Sequence, residues 1–177
     1  NPEYFEYYNR GFLCQTQGNI DLALADYDRA IKLNPQFPNA YNNLGIFYAE
    51  QEELKLALND YNQAIKLTPE FSEAYYRRGD IYFQKGQLEL ALTDYNKAIE
   101  LNPDYAEAYN DRSVVYFSQG KADLALADCD RAIKLNPNLV EAYLNKGNIF
   151  HYIQGKSDLA LVEYNKAIEL DPNYAEA

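Results

Sequence analysis

Side chains able to do chemistry are unevenly spread along this chain of 177 residues. His151 is the only histidine, and Cys14 and Cys129 are the only cysteines. An imidazole with no nucleophile or second ligand at a working spacing makes neither a triad nor a metal site, so we read His151 as a polar groove or turn residue. No glycine-rich loop precedes a lysine and a hydroxyl, the pattern that phosphate binding requires. Arg78-Gly79-Asp80 spells a cell-adhesion tripeptide, but its glycine belongs to a helix-packing series described below, which makes the match accidental. The pattern predicts no catalytic residue, no metal and no cofactor, and the segment by itself is not an enzyme.

What does recur is a mixture of amides, carboxylates and rings. It runs through Phe5, Tyr8, Asn9 and Phe12, then Asn39, Asn42, Asn43 and Ile46. It continues as Glu73, Tyr76, Arg77, Asp80 and Phe83, then Glu107, Asn110, Asp111, Val114 and Phe117, and ends with Glu141, Leu144, Asn145, Asn148 and His151. Asparagine offers a peptide backbone both a donor and an acceptor. Interleaved rings and aliphatic side chains can anchor the apolar side chains of a partner. We take Tyr8, Phe12, Asn42, Asn43, Ile46, Tyr76, Arg77, Asp80, Phe83, Asn110, Asp111, Val114, Phe117, Leu144, Asn148 and His151 as the candidate partner-binding set. Five acids, Glu73, Asp80, Glu107, Asp111 and Glu141, stand in this series against Arg77 alone, which favours a neutral or basic partner.

The elements that hold these groups come from repetition. "LALADYDRAIKLNP" at Leu22 to Pro35 returns as "LALADCDRAIKLNP" at Leu124 to Pro137, and related copies end at Pro69, Pro103 and Pro172. The prolines are 34, 34, 34 and 35 residues apart, and a fixed period of this size marks stacked supersecondary units. Within the second copy, Tyr41, Leu44, Gly45 and Tyr48 fall on one helical face, and Leu54, Leu56, Ala57, Tyr61, Ala64, Ile65 and Leu67 on another. The first stripe predicts a helix A that opens at Pro38, where a missing N–H costs nothing. The second predicts a helix B that stops at Thr68, because the residue before proline is pushed out of the helical region. Small residues mark the expected contact between the two helices. They are Gly11, Gly45, Gly79, Ser113 and Gly147 in helix A, facing Ala23, Ala57, Ala91, Ala125 and Ala160 in helix B. Two ring columns, one from Tyr7 to Tyr143 and one from Tyr27 to Tyr164, are expected to fill the gaps between units. Both cysteines replace an aromatic residue in the repeat, in different columns three units apart, and are read as packed thiols rather than a disulfide.

Tyr41-x-x-Leu44-Gly45-x-x-Tyr48, followed by Ala57-x-x-x-Tyr61, Ala64 and Pro69, resembles the tetratricopeptide repeat, with tyrosine where that family often has tryptophan. The likeness extends over five copies, approximately 4–37, 38–71, 72–105, 106–139 and 140–174, as one array across 1–177. It implies an all-α fold of about ten helices, in antiparallel pairs stacked into a right-handed superhelix. It also implies a concave groove, lined by the A helices, that takes an extended peptide or protein segment. A docking segment of a larger enzyme and a module that self-assembles through its ends are the alternatives. Members that clamp the terminal carboxylate of chaperones need cations and amides where this chain has Tyr8, Phe12, Asn43, Glu73 and Arg77, so that ligand is rejected.

Two departures stand out from the pattern. The turn glycine, Gly18, Gly86, Gly120 or Gly155 in four copies, is Glu52 in the second, and a shifted or tighter turn is expected there. The fifth copy has one extra residue, which predicts a bulge near His151 to Gln154. The formal net charge of -11 and a pI near 4.5 argue against nucleic acid as a partner. No apolar run is long enough to span a bilayer, and two unpaired thiols fit a reducing, cytoplasmic setting. Asn1-Pro2 and the closing Asn173-Tyr174-Ala175-Glu176-Ala177 read as pieces of further repeats, so ends that pack on more repeats or on a second copy are expected.

Overall fold

The computed structural model describes residues 3–174, and within them every regular element is helical. The helices are α1 (Glu3–Thr16), α2 (Ile20–Leu33), α3 (Pro38–Glu50), α4 (Leu54–Leu67), α5 (Ser72–Gln84), α6 (Leu88–Leu101), α7 (Ala106–Ser118), α8 (Ala122–Leu135), α9 (Val140–Asn148) and α10 (Ser157–Leu170). A π-helical turn, Ile149–Ile153, extends α9. Odd-numbered helices are the A helices of the sequence pattern and even-numbered ones the B helices. The chain divides into two compact units, residues 1–81 and 82–177.

In the first unit α1 packs on α2 and α3 on α4. One buried cluster joins Ala23, Tyr27, Leu44 and Phe47, and another joins Ala57, Tyr61 and Ile81. In the second unit α7 packs on α8 and α9 on α10. There the clusters are Ala125, Cys129 and Ile149, and Tyr143, Leu144 and Ala167.

The Asn-Pro or Asp-Pro that follows every B helix but α4, where it is Thr68-Pro69, has a structural reason. Asn34 is extended, as the following Pro35 demands, and its side-chain oxygen accepts a hydrogen bond from the Gln36 amide at 3.1 Å. Asn102, Asn136 and Asp171 close their turns in the same way, onto the amides of Asp104, Asn138 and Asn173.

The turns between paired helices correct one expectation. Gly18, Gly86, Gly120 and Gly155 have φ of +74, +69, +70 and +64°, and Glu52 takes the same left-handed conformation at +60°. Its turn is neither shifted nor tightened. The Glu53 amide reaches the Tyr48 carbonyl at 2.9 Å, as Asn19 reaches Cys14 and Lys121 reaches Tyr116. This is the helix-ending bond that a left-handed residue makes possible, and here a side chain tolerates it at a cost.

The small-residue series also differs from expectation. A Cβ built on Gly45 would lie 2.6 Å from the Tyr61 ring, and one on Gly147 would lie 2.5 Å from the Tyr164 ring. On Gly11 it would meet Tyr27 at 3.0 Å and the Ala23 carbonyl only at 3.3 Å. The glycines therefore admit the tyrosine of their own helix pair, and that ring column packs within the pair as well as against the next repeat, where Tyr27 joins Leu44 and Phe47 and Tyr61 joins Ile81.

A row of cations ties A helices to B helices. Arg10 makes a two-pronged pair with Asp26, at 2.7 and 2.6 Å. Arg112 does the same with Asp128 at 2.7 Å on each prong, and also reaches Asn96 on the preceding B helix at 2.6 Å. Lys146 bridges Glu163 at 2.9 Å and Asp130 at 3.0 Å. In the second repeat the A-helix position is Leu44, while Asp60 keeps the acidic place and is 7% exposed. Burial first, and the nearby Asp28 charge after it, push the Asp60 carboxyl up to about 7, against the opposing hydrogen bond from Asn59.

Candidate functional site

Asn110, Asp111 and Val114 lie at the i, i+1 and i+4 positions of one face of α7, and Glu141, Leu144, Asn145 and Asn148 at i, i+3, i+4 and i+7 of α9. These seven side chains and Tyr174 line an open cavity of about 240 Å³ in the second unit. Leu144 is buried beneath it, and Val114 is half-buried. The Asn145 side-chain N–H donates to Asn110 Oδ1 at 2.9 Å and so ties α9 to α7, while the Asn110 N–H donates to Asp111 at 3.0 Å. Asn148 Oδ1 accepts from the Tyr164 hydroxyl at 2.8 Å, which links the wall of the cavity to α10.

Five members of the expected binding set therefore converge here: Asn110, Asp111, Val114, Leu144 and Asn148. Phe117 is half-buried against the cluster of Ala125, Cys129 and Ile149, and it serves the core. His151 is exposed on the π-helical turn, edge-on to Tyr152 with ring centroids 4.7 Å apart, and does not line the cavity. Phe83, half-buried on the last turn of α5, is likewise not among the lining residues.

In the first unit the Asn43 side chain donates to the Tyr8 hydroxyl at 3.2 Å, joining α3 to α1 as Asn145 joins α9 to α7. Tyr8 meets Phe37 edge-on with centroids 4.9 Å apart and lies near Phe5 at 6.1 Å. Phe12 is exposed, and Ile46 packs on the cluster of Ala57, Tyr61 and Ile81. Tyr76 is buried beneath the Arg77 guanidinium, 5.3 Å from its ring centre, with Asp80 half-buried one turn away. Asn42 is only 2% exposed, and its Oδ1 has no hydrogen-bond partner. The asparagines of the candidate set thus divide into a buried column, Asn42 and Asn110, and two half-buried residues from different columns, Asn43 and Asn148.

Sequence reasoning missed Tyr174 as a wall of the cavity and Phe37 as the ring against Tyr8. Both fall two residues after the proline that follows a B helix, as do Phe71 and Tyr105, with Leu139 the exception, so a recurring aromatic at that place was the available signal.

Among the described residues, no group of three His, Cys, Asp or Glu side chains is placed to hold a metal ion. No helix among them is long and apolar enough to cross a membrane. Both cysteines are free, and burial pushes the Cys129 thiol up to about 12, where it is a poor nucleophile.

A family model described as TPR repeat matches residues 13–51, 47–84, 79–120, 114–152 and 151–177. No curated protein matches the chain. Among solved structures, the chain is similar to the MamA protein, at 27% identity and a TM-score of 0.78 over 99% of this chain and 95% of that one. YrrB, described as a TPR protein with an unusual peptide-binding site, is 27% identical with a TM-score of 0.74, over 96% of this chain and 87% of that one. A thermophilic TPR protein of Thermus thermophilus is 27% identical with a TM-score of 0.76, over 97% of this chain and 93% of that one.

Proposed function

Because the chain belongs to the tetratricopeptide repeat family, we propose that it is a protein-interaction scaffold that holds an extended segment of a partner against its A helices. The observation that carries this reading is the cavity of about 240 Å³ on which α7 and α9 converge. Two consecutive A helices supply amides, carboxylates and aliphatic surface to one opening, a mixture suited to a peptide backbone with side chains on either side. The cross-helix bonds from Asn145 to Asn110 and from Asn43 to Tyr8 favour it further, since they hold the lining in place before a ligand arrives. The peptide-binding site attributed to YrrB points the same way.

The test is selection from a random linear peptide library on the intact chain, followed by binding measurements on two variants. Val114→Arg places a charge in the cavity, and Leu56→Arg places one on the exposed face of a B helix. With both variants folded by circular dichroism, selected peptides should lose affinity for the first and keep it for the second. Equal retention by both would remove the A-helix surface as the binding site.

A further inference from the structure

The chemistry of the cavity between α7 and α9 is lopsided. Among the described residues its lining holds two carboxylates, Asp111 and Glu141, and no lysine, arginine or histidine. The amides are engaged in both directions: Asn110 Oδ1 accepts from Asn145 while its N–H donates to Asp111, and Asn148 Oδ1 accepts from the Tyr164 hydroxyl. Asn145 Oδ1 is left as an acceptor, beside the Glu141 carboxylate four residues earlier on the same face. Glu141 sits in the first turn of α9. Val114 and Leu144 provide an aliphatic strip within the same opening.

A group that satisfies all of this has an apolar stem and a cationic head rich in donors and without acceptors, which describes a basic side chain. The volume suits it, since a water molecule takes up about 30 Å³ of liquid and the cavity therefore has room for several groups of that size.

We propose that this cavity is the subsite for a lysine or arginine side chain of the bound segment, with the stem along Val114 and Leu144 and the head at Glu141. The assignment rests on the scaffold reading above and adds the chemistry of one partner residue to it. Glu141 selects the basic residue by charge, and the Asn110–Asn145 bond keeps the site open.

The experiment compares peptides selected from the random linear library on the unaltered chain with those selected on Glu141→Lys, both proteins checked for fold by circular dichroism. The expected result is a basic residue at one fixed position of the first set and an aspartate or glutamate there in the second. Replacing that basic residue by norleucine should weaken binding about tenfold, and Glu141→Gln should weaken the parent peptide to a similar degree. Peptides that are lost with Val114→Arg yet carry no preferred basic position would overturn this inference and leave the scaffold reading intact. Peptides indifferent to Val114→Arg, or no selected peptides, would overturn both. Parallel lysine and arginine versions of the peptide decide which head the site prefers.

Discussion

Cys129 Sγ lies 3.3 Å from Ser113 Oγ, and both side chains are fully buried. They stand where Gly147 and Tyr164, or Gly45 and Tyr61, stand in other repeats. The space taken from the B-helix ring is partly returned to the A helix as a hydroxymethyl group, so each substitution makes sense only with the other.

The two should therefore be coupled. Cys129→Tyr alone drives a ring against Ser113 and is expected to cost about 1–3 kcal/mol, as overpacked cores do. Ser113→Gly alone opens space and gives up helix preference, at a cost of about 1 kcal/mol. The double variant restores the arrangement of the other repeats and should be more stable than the sum of the single changes predicts. Urea unfolding of all four proteins measures this, and an additive result would show that the pair is not a packing unit.

Gly45→Ala is expected to destabilise although alanine is the better helix former. Its Cβ would sit 2.6 Å from the Tyr61 ring, which is enclosed and 1% exposed. A net loss of up to about 2 kcal/mol remains after the gain in helix propensity is subtracted from the overpacking cost. Gly11→Ala, at 3.0 Å from Tyr27, should lose less. Thermal midpoints of the two variants give the order.

Glu52→Gly removes the strain of a left-handed side-chain residue while leaving its bond pattern in place. We expect a gain of about 1 kcal/mol, reduced by the greater freedom of glycine in the unfolded chain. A loss in urea titration would mean that the Glu52 side chain contributes something beyond its backbone.

Stability should respond to pH through Asp60. Its native carboxyl is raised from 3.8 to about 7, so between those values the folded chain holds a proton that the unfolded chain releases. Folding is then favoured by lowering the pH, and this contribution fades as pH rises through about 7. The groups around it are Asp28, Asn59, and the phenols of Tyr41 and Tyr48, which are themselves raised mainly by burial. Asp60→Asn should remove this part of the difference in unfolding midpoint between pH 5 and pH 8. Leu44→Arg gives up an aliphatic side chain of the buried cluster but should supply the pair seen at Arg10 and Asp26, so its cost should be smallest at pH 8 and the profile should flatten. Wild-type and Asp60→Asn profiles that run parallel would show that Asp60 titrates normally.

How far the sequence foretold these features depended on what each column records. Periodicity gave the helix pairs, because apolar spacing and proline positions are local signals. It also pointed to five of the residues around the cavity, since those share helical faces. It could not tell that Asn42 and Asn110 are buried while Asn43 and Asn148 are half-buried, because neighbouring positions on an A helix differ by only about 100° of rotation. Glycine was visible as a close approach, but the identity of the approaching group was not, because Ala23 and Tyr27 lie one turn apart on the same B-helix face. Glu52 misled because a left-handed turn is required by its neighbours' bonds rather than by its own preference. The vacancy opposite Asp60 was legible in principle, as a leucine in a column of Arg10, Arg78, Arg112 and Lys146, but only once that column was known to face an acid.

The π-helical turn carries a consequence for how this chain tolerates change in length. Before it, Arg112 meets an acid sixteen residues on; across it, Lys146 meets Glu163 seventeen residues on, and Tyr164 still covers Gly147. The Lys156 amide likewise reaches back six residues to Phe150 at 2.8 Å, where Lys121 reaches back five to Tyr116. The added residue is spent within one widened turn, and the helix after it resumes in phase. Length variation at this corner is therefore mechanically silent for the packing on either side, so a residue can be gained there without a compensating deletion elsewhere.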